Sequence, residues 1–212
     1  MNSPDASPPY FCQRCPRLFA FLEECRETLP GHFNGPVETF GDADAELLVV
    51  GLAPGVNGAN RTGRPFTGDY AGDLLYKALA EHGFSNDRYD KRIDDGLALR
   101  RAAITNAVRC VPPQNKPVGA EINTCRDFLT AQIAALPKLK VLLCLGKISH
   151  DSTVRALGGK LSCEKFGHGS EYELGGYVVL SSYHCSRYNT NTRRLTEAMF
   201  MDVFARAKVL LE

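Results

Sequence analysis

No apolar run in this sequence approaches the roughly 20 residues that a bilayer-crossing helix requires, which argues against a membrane-embedded chain. Met1 to Pro9 carry neither a basic cluster nor an apolar stretch. A secretion signal is therefore not expected, and the cytoplasm is the expected compartment. Charge imbalance is also missing: 25 basic and 24 acidic side chains leave +1 with histidine neutral. A uniformly basic nucleic-acid binder is excluded, and any basic surface has to be local. Internal repeats are absent, as is a linker long enough to divide the chain. One domain is expected, with residues 1–9 a flexible lead and residues 10–212 the folded unit.

What is present fits an ordinary globular protein. An apolar share of 44% and a charged share of 23% over 212 residues allow a substantial core. Four short apolar runs, Leu47 to Val50, Ala102 to Val108, Val141 to Leu145 and Val178 to Leu180, are continuous rather than alternating. That pattern suits strands covered on both faces. Helical spacing links Leu18, Leu22, Cys25 and Leu29 behind Pro16, and marks further helices at Leu74 to Leu79, Ile122 to Leu136 and Leu195 to Leu210. Alternating strands and helices predict a three-layer α/β/α sandwich around a mostly parallel four-stranded sheet.

Eight cysteines in a cytoplasmic chain point to metal or cluster ligands, or to buried thiols, rather than to disulfides. Cys12 and Cys15 form a close pair; Cys110 ends a strand before a rigid Val-Pro-Pro exit, and Cys125 lies one turn into the next helix. Four thiolates from three segments suit a [4Fe–4S] cluster or a tetrahedral zinc. Buried structural thiols are the third reading. One close pair rather than two leans towards the cluster. Cys25 and Cys144 read as buried thiols.

Ligands of an open parallel sheet bind outside the carboxyl ends of its strands. Three loops leave those ends: Gly51 to Asp69 with five glycines, the segment from Thr105-Asn106, and Ser182 to Arg194. The first matches no Walker or dinucleotide fingerprint, so a phosphate cradle is unsupported.

The runs GLAPGVNGANRTGRPFTGD, TNAVRCVPPQNKP and SYHCSRYNTNTRRLT resemble the signature motifs of the family 5 uracil-DNA glycosylases, and CQRCPRLFAFLEECRE is similar to the N-terminal cluster arm of families 4 and 5. Family 4 places an acidic residue where this chain has Leu52, and the long NGANRTGRPFTGD extension resembles family 5. The third motif departs from the usual His-Pro-Ser, with Cys185 in place of the proline. The resemblance implies a [4Fe–4S] cluster on Cys12, Cys15, Cys110 and Cys125 in an N-terminal iron–sulfur arm. It also implies a monomer that flips uracil, or another deaminated base such as hypoxanthine, out of DNA into a pocket formed with Gly51, Leu52, Ala53 and Pro54.

Each candidate residue has a second reading. Phe66 is either a stacking face for the flipped base or a core anchor of its loop. Asp69 is a carboxylate that orients water and stabilises charge at C1′, or a helix N-cap, or both. Asn106 reads a pyrimidine edge or forms a turn. His184 donates to the departing base or holds its own loop. Arg61, Arg64, Arg187, Arg193 and Arg194 are phosphate contacts or solvated surface, and Tyr188 with Asn189 form a candidate wedge. Two rivals from other classes are an iron–sulfur electron-transfer module and a catalytically silent damaged-DNA-binding protein.

Overall fold

The computed structural model describes residues 6–212. In chain order the elements are α1 (Pro16–Thr28), β1 (Phe40–Gly41), β2 (Leu47–Gly51), α2 (Ala59–Thr62), α3 (Tyr70–Glu81), β3 (Ala102–Asn106), α4 (Gly119–Ala134), β4 (Val141–Leu145), α5 (Lys147–Ala156), β5 (Glu171–Leu174), β6 (Tyr177–Ser182), α6 (Arg187–Asn191) and α7 (Glu197–Val209). Of the lead at residues 1–9, the first five lie outside the described residues; Pro8 is buried, and the Pro9 carbonyl accepts from the Cys12 N–H at 2.9 Å.

The sheet order is β1-β3-β2-β4-β6-β5. Its four central strands run parallel, Val49 lying beside Ile104 and Leu143, and Leu143 beside Leu180. Alternate side chains explain why these runs read as continuously apolar. Leu47, Val49, Ile104 and Leu143 face α3 and α7, packing with Leu75, Leu79, Phe200 and Phe204. Leu48, Val50, Leu142 and Cys144 face the other layer, with Leu129 and Ile133 of α4 and the end of α5. Both faces are covered, as a parallel sheet requires.

The expected four-stranded sheet needs correction to six strands, because β1 and β5 add antiparallel edges. β1 has only two residues and carries no periodicity. β5 alternates exposed and half-buried residues and turns into β6 through Gly175-Gly176, both at positive φ. That is the backbone a tight two-residue hairpin needs. Helix α5 also escaped the periodicity reading, because its buried face is polar: Ser149, His150, Ser152 and Thr153. His150 is satisfied there, with Nδ1 2.8 Å from Ser181 Oγ and Nε2 2.9 Å from the Glu164 carbonyl.

Candidate active site

The helix after β2 lies on one face of the sheet and the helix after β3 on the other, which opens a crevice at the strand ends. A cavity of about 410 Å³ occupies it, lined by Leu52, Ala53, Pro54, Phe66, Asp69, Asn106 and His184 among others. Its size falls within the range of small-ligand sites. The ladder continues past the strands, Ala107 N–H donating to the Gly51 carbonyl and Val108 N–H to the Leu52 carbonyl, both at 2.9 Å. Gly51 makes the pocket possible: a Cβ there would stand 2.4 Å from Asn106 Oδ1 and 2.7 Å from the Phe66 ring. Asn106 is buried at the end of β3, so its amide is aimed by a rigid strand.

The loop carrying Phe66 and Asp69 is locked from behind. Arg64 pairs with Asp95 through two bonds of 2.8 and 2.6 Å, donates Nε to Thr67 Oγ1 at 2.7 Å and reaches the Arg92 carbonyl at 2.7 Å. Its guanidinium also lies 5.2 to 5.9 Å from the ring centroids of Phe40, Tyr76 and Tyr89. Tyr76 donates to the Pro65 carbonyl at 2.6 Å, and Tyr89 to the Phe66 carbonyl at 3.3 Å. Arg64 is therefore removed from the phosphate-contact candidates: it is 2% exposed and its donors are engaged inside the protein.

Within this frame Phe66 takes a left-handed backbone, φ 55°, a conformation that non-glycine residues adopt rarely and that often marks a functional site. Its ring belongs to the core and also forms a wall of the cavity, stacked on the His184 ring at 6.0 Å between centroids and 26° between planes. Phe66 is therefore a core residue and a cavity wall at once. Asp69 is the N-cap of α3, with Oδ1 accepting from Gly72 N–H at 3.1 Å, and it lines the cavity as well. Burial raises its pKa, partly offset by the backbone N–H groups of Gly72 and Ala71. His184 is lodged among side chains yet keeps part of its ring open to the cavity. Burial lowers its pKa to about 4, so the imidazole is neutral at physiological pH. In place of the proline of the usual motif, the buried Cys185 thiol donates to the Ala71 carbonyl at 3.4 Å and ties this loop to the first turn of α3.

The four expected cysteine ligands come together around a second cavity. Cys12, Cys15, Cys110 and Cys125 all line one small cavity with Arg109, Leu18 and Phe128. Arg17 of α1 and Arg14, between the paired cysteines, hold that segment there: Arg17 bonds Glu121 at 2.7 Å, Arg14 pairs with Asp127, and the Arg14 guanidinium sits 5.0 Å from the Phe128 ring centroid. Burial pushes the Cys15 thiol up to about 11 and raises Cys110 and Cys125, and the neighbouring sulfurs add to each shift. The Arg109 backbone N–H donates to Cys125 Sγ at 3.3 Å. Among the described residues no group of three or more His, Cys, Asp or Glu side chains is arranged to hold a single metal ion; the four thiols stand around a shared cavity.

Comparison with known proteins agrees with this geometry. Residues 38–208 match the family described as the Uracil DNA glycosylase superfamily. A type-5 uracil-DNA glycosylase of Thermus thermophilus is 42% identical over 205 residues, covering 94% of this chain and 93% of its own. The type-5 uracil-DNA glycosylase of Pyrobaculum aerophilum is 37% identical, over 92% of this chain and 87% of its own. This chain belongs to the uracil-DNA glycosylase superfamily, in its type-5 branch. A type-4 uracil-DNA glycosylase of Saccharolobus solfataricus is also similar, 30% identical over 91% of this chain and 80% of its own.

Around the mouth of the pocket, this type-5 family member sorts the remaining candidates. Arg187 lines the cavity and lies 5.1 Å from the Tyr70 ring centroid. Arg61 is exposed, its Nε donating to the Asn57 carbonyl at 3.1 Å. Arg193 is exposed too, and Arg194 lies over the Tyr183 ring at 4.6 Å. Tyr188 projects from α6, 73% exposed. Asn189 does not share that freedom: its Nδ2 donates to the His184 carbonyl at 2.8 Å and so braces the loop that carries His184. Tyr70, Asn115 and Ser186 line the cavity although sequence reasoning passed over them. Asn115 had a signal, since the Pro-Pro-Gln-Asn turn puts it at φ 57°, a region Asn tolerates well.

Proposed function

We propose that this protein hydrolyses the N-glycosidic bond between uracil and deoxyribose in DNA, leaving an abasic site and starting base excision repair. One observation carries the reading: a single cavity at the strand ends joins an aromatic ring, a strand-end amide, an imidazole and a half-buried carboxylate. A flipped uracil stacks on Phe66, and the Asn106 amide offers both donor and acceptor to its edge. As the C1′–N bond breaks, its electron pair leaves with the base. An imidazole N–H of His184 stabilises that charge, and it is preorganised because the ring carries no charge of its own to shed. Asp69 faces the resulting C1′ cation and takes a proton from the water that adds there. Hypoxanthine and other deaminated bases are proposed as further substrates, and the enzyme as a cytoplasmic monomer. Eight cysteines with no disulfide among them suit that reducing compartment. The decisive experiment is incubation with a uracil-containing duplex followed by alkaline cleavage of abasic sites; an intact strand after prolonged incubation defeats the proposal. One observation favours a second reading, a silent damaged-DNA-binding protein: the Asp69 cap on α3 would be its whole role.

The four cysteines around one cavity, with a backbone N–H on one sulfur, are a donor set that suits a [4Fe–4S] cluster. The cluster would join the N-terminal arm to the segment after β3 that also delivers Asn115. Protein prepared without oxygen is expected to be brown and to hold about four irons per chain. One zinc and no iron by metal analysis defeats the cluster and leaves the glycosylase reading standing.

Two further outcomes follow from the pocket walls. Phe66→Leu keeps apolar volume in the core but loses the flat face, so the thermal midpoint stays near wild type. Binding to a uracil duplex weakens by about 1 kcal/mol or more, the low end of base–aromatic stacking. Normal binding by the variant in a fluorescence titration makes Phe66 a core residue alone. For His184 the low value near 4 sets the sign. Between the unfolded imidazole value of about 6.5 and the folded value, the unfolded chain takes up a proton that the native site refuses, so stability is lost as pH falls. Above that window the ring is neutral throughout, and the single-turnover rate shows no inflection from it. A rate that rises with histidine protonation near pH 6.5 would instead require an imidazolium.

A further inference from the structure

Arg109 is the bulkiest fully buried side chain among the described residues. It directly precedes Cys110 and lines the same cavity as all four cysteines. Its Nη1 donates to the Val37 carbonyl at 3.3 Å and to Thr39 Oγ1 at 3.0 Å, and Nη2 to the Ala6 carbonyl at 3.4 Å; Nε has no acceptor among the described residues. Every one of these acceptors is neutral. The other deeply buried arginine, Arg64, has the carboxylate of Asp95 at 2.6 Å, whereas no described carboxylate stands at ion-pair distance from Arg109. A guanidinium stays protonated in proteins, and a buried charge is tolerated only with compensation. The acidic groups that act on it are Cys125 and Cys110 and, beyond ion-pair distance, the exposed Glu38; the cysteines are the ones that share its cavity. A cubane core of charge 2+ held by four thiolates is a dianion, and its potential responds to nearby charge and to hydrogen bonds on the sulfurs.

We propose that Arg109 is the buried countercharge of the cysteine-bound cluster and sets its reduction potential, with its own backbone N–H on Cys125 as the second contact. The inference rests on the cluster reading above. Its role is electrostatic positioning, not catalysis.

The test is a potentiometric titration, followed by electron paramagnetic resonance, of the iron-loaded protein and its variants, with iron measured on each. Arg109→Met removes the cation, and the couple moves to more negative potential. At a fixed potential the reduced-to-oxidised ratio falls about tenfold, 59 mV for a one-electron couple. Arg109→Lys keeps the charge and stays near wild type. Thr39→Asp leaves the guanidinium in place and offers it a carboxylate, so it shifts the couple the same way and decides the matter if Arg109→Met does not fold. Asp5→Asn, at the residue next to Ala6 in the chain, leaves the potential unchanged. A wild-type potential in iron-loaded Arg109→Met or Thr39→Asp overturns the proposal. So does a lysine variant that behaves like the methionine one, or a shift in Asp5→Asn, which would make Asp5 the partner. Wild-type protein holding zinc and no iron overturns the cluster reading itself, a failure distinct from these.

Discussion

Asp69→Asn is expected to lower the single-turnover rate of uracil release roughly 10²–10⁴-fold, the usual span for a lost general base, with the fold intact. The substitution separates the helix cap that Asp69 forms from the catalytic role proposed for it. Oδ1 caps α3 through Gly72 N–H, and asparagine caps about as well as aspartate, so the amide preserves the helix start. The carboxylate also lines the cavity, in surroundings whose burial raises its pKa. In the unfolded chain it ionises more readily than in the native pocket, so at neutral pH the native charge works against stability. The asparagine variant lacks that opposition, and its thermal midpoint is expected at or slightly above wild type. Binding of uracil-containing duplex persists. A variant that releases uracil within a few-fold of wild type would leave Asp69 as a cap alone and move the chemistry to Asn106, His184 and the pocket backbone.

How much of this was legible in the sequence depended on whether the signal was local. The parallel strands were legible because burial on both faces leaves uninterrupted apolar runs such as Leu47 to Val50. α1, α3, α4 and α7 were legible because each turns an apolar stripe inwards. α5 was not, because its inward face is mostly polar, Ser149, His150, Ser152 and Thr153 beside Val154, so no apolar stripe marks it. β5 was readable in principle from alternation ahead of Gly175-Gly176; β1, two residues long, was not. Asn106 and His184 were candidates by position, at loops that leave strand ends, and Asp69 by the family resemblance of its loop. The division of labour among the arginines was hidden. Arg61 and Arg64 share a loop and a charge, yet one is exposed and the other closed in by residues 28 and 31 positions further along. Asn189 gave the same difficulty at shorter range, since only the fold reveals that its amide is taken by the His184 carbonyl.

Asp95→Asn is expected to be the most destabilising single change on the pocket's rear wall, by about 3–5 kcal/mol, because it strands a buried guanidinium. Both partners are 2% exposed in side-chain area, and Asp95 also accepts from the backbone N–H groups of Asp90 and Leu97 at 3.0 Å. The Arg64 hydrogen bonds hold the Asp95 carboxylate well below the usual range. Its contribution is therefore complete above the unfolded value near 4 and is lost as pH falls towards the depressed one. For a chain of this length the loss corresponds to a fall of roughly 6–20 °C in thermal midpoint, which calorimetry resolves easily. Function should suffer through the loop. Arg64 reaches Thr67 and the Arg92 carbonyl, so loosening it frees Phe66 and Asp69 to wander from the positions the chemistry needs. The companion variant Arg64→Met tells this role from the phosphate contact that sequence suggested. An arginine on phosphate would, when removed, reduce the slope of binding against salt by about one. Arg64→Met should keep the wild-type slope while losing stability, and Arg187→Met, at the pocket mouth, is the variant in which the slope can fall. A reduced slope in folded Arg64→Met would return that side chain to the DNA interface.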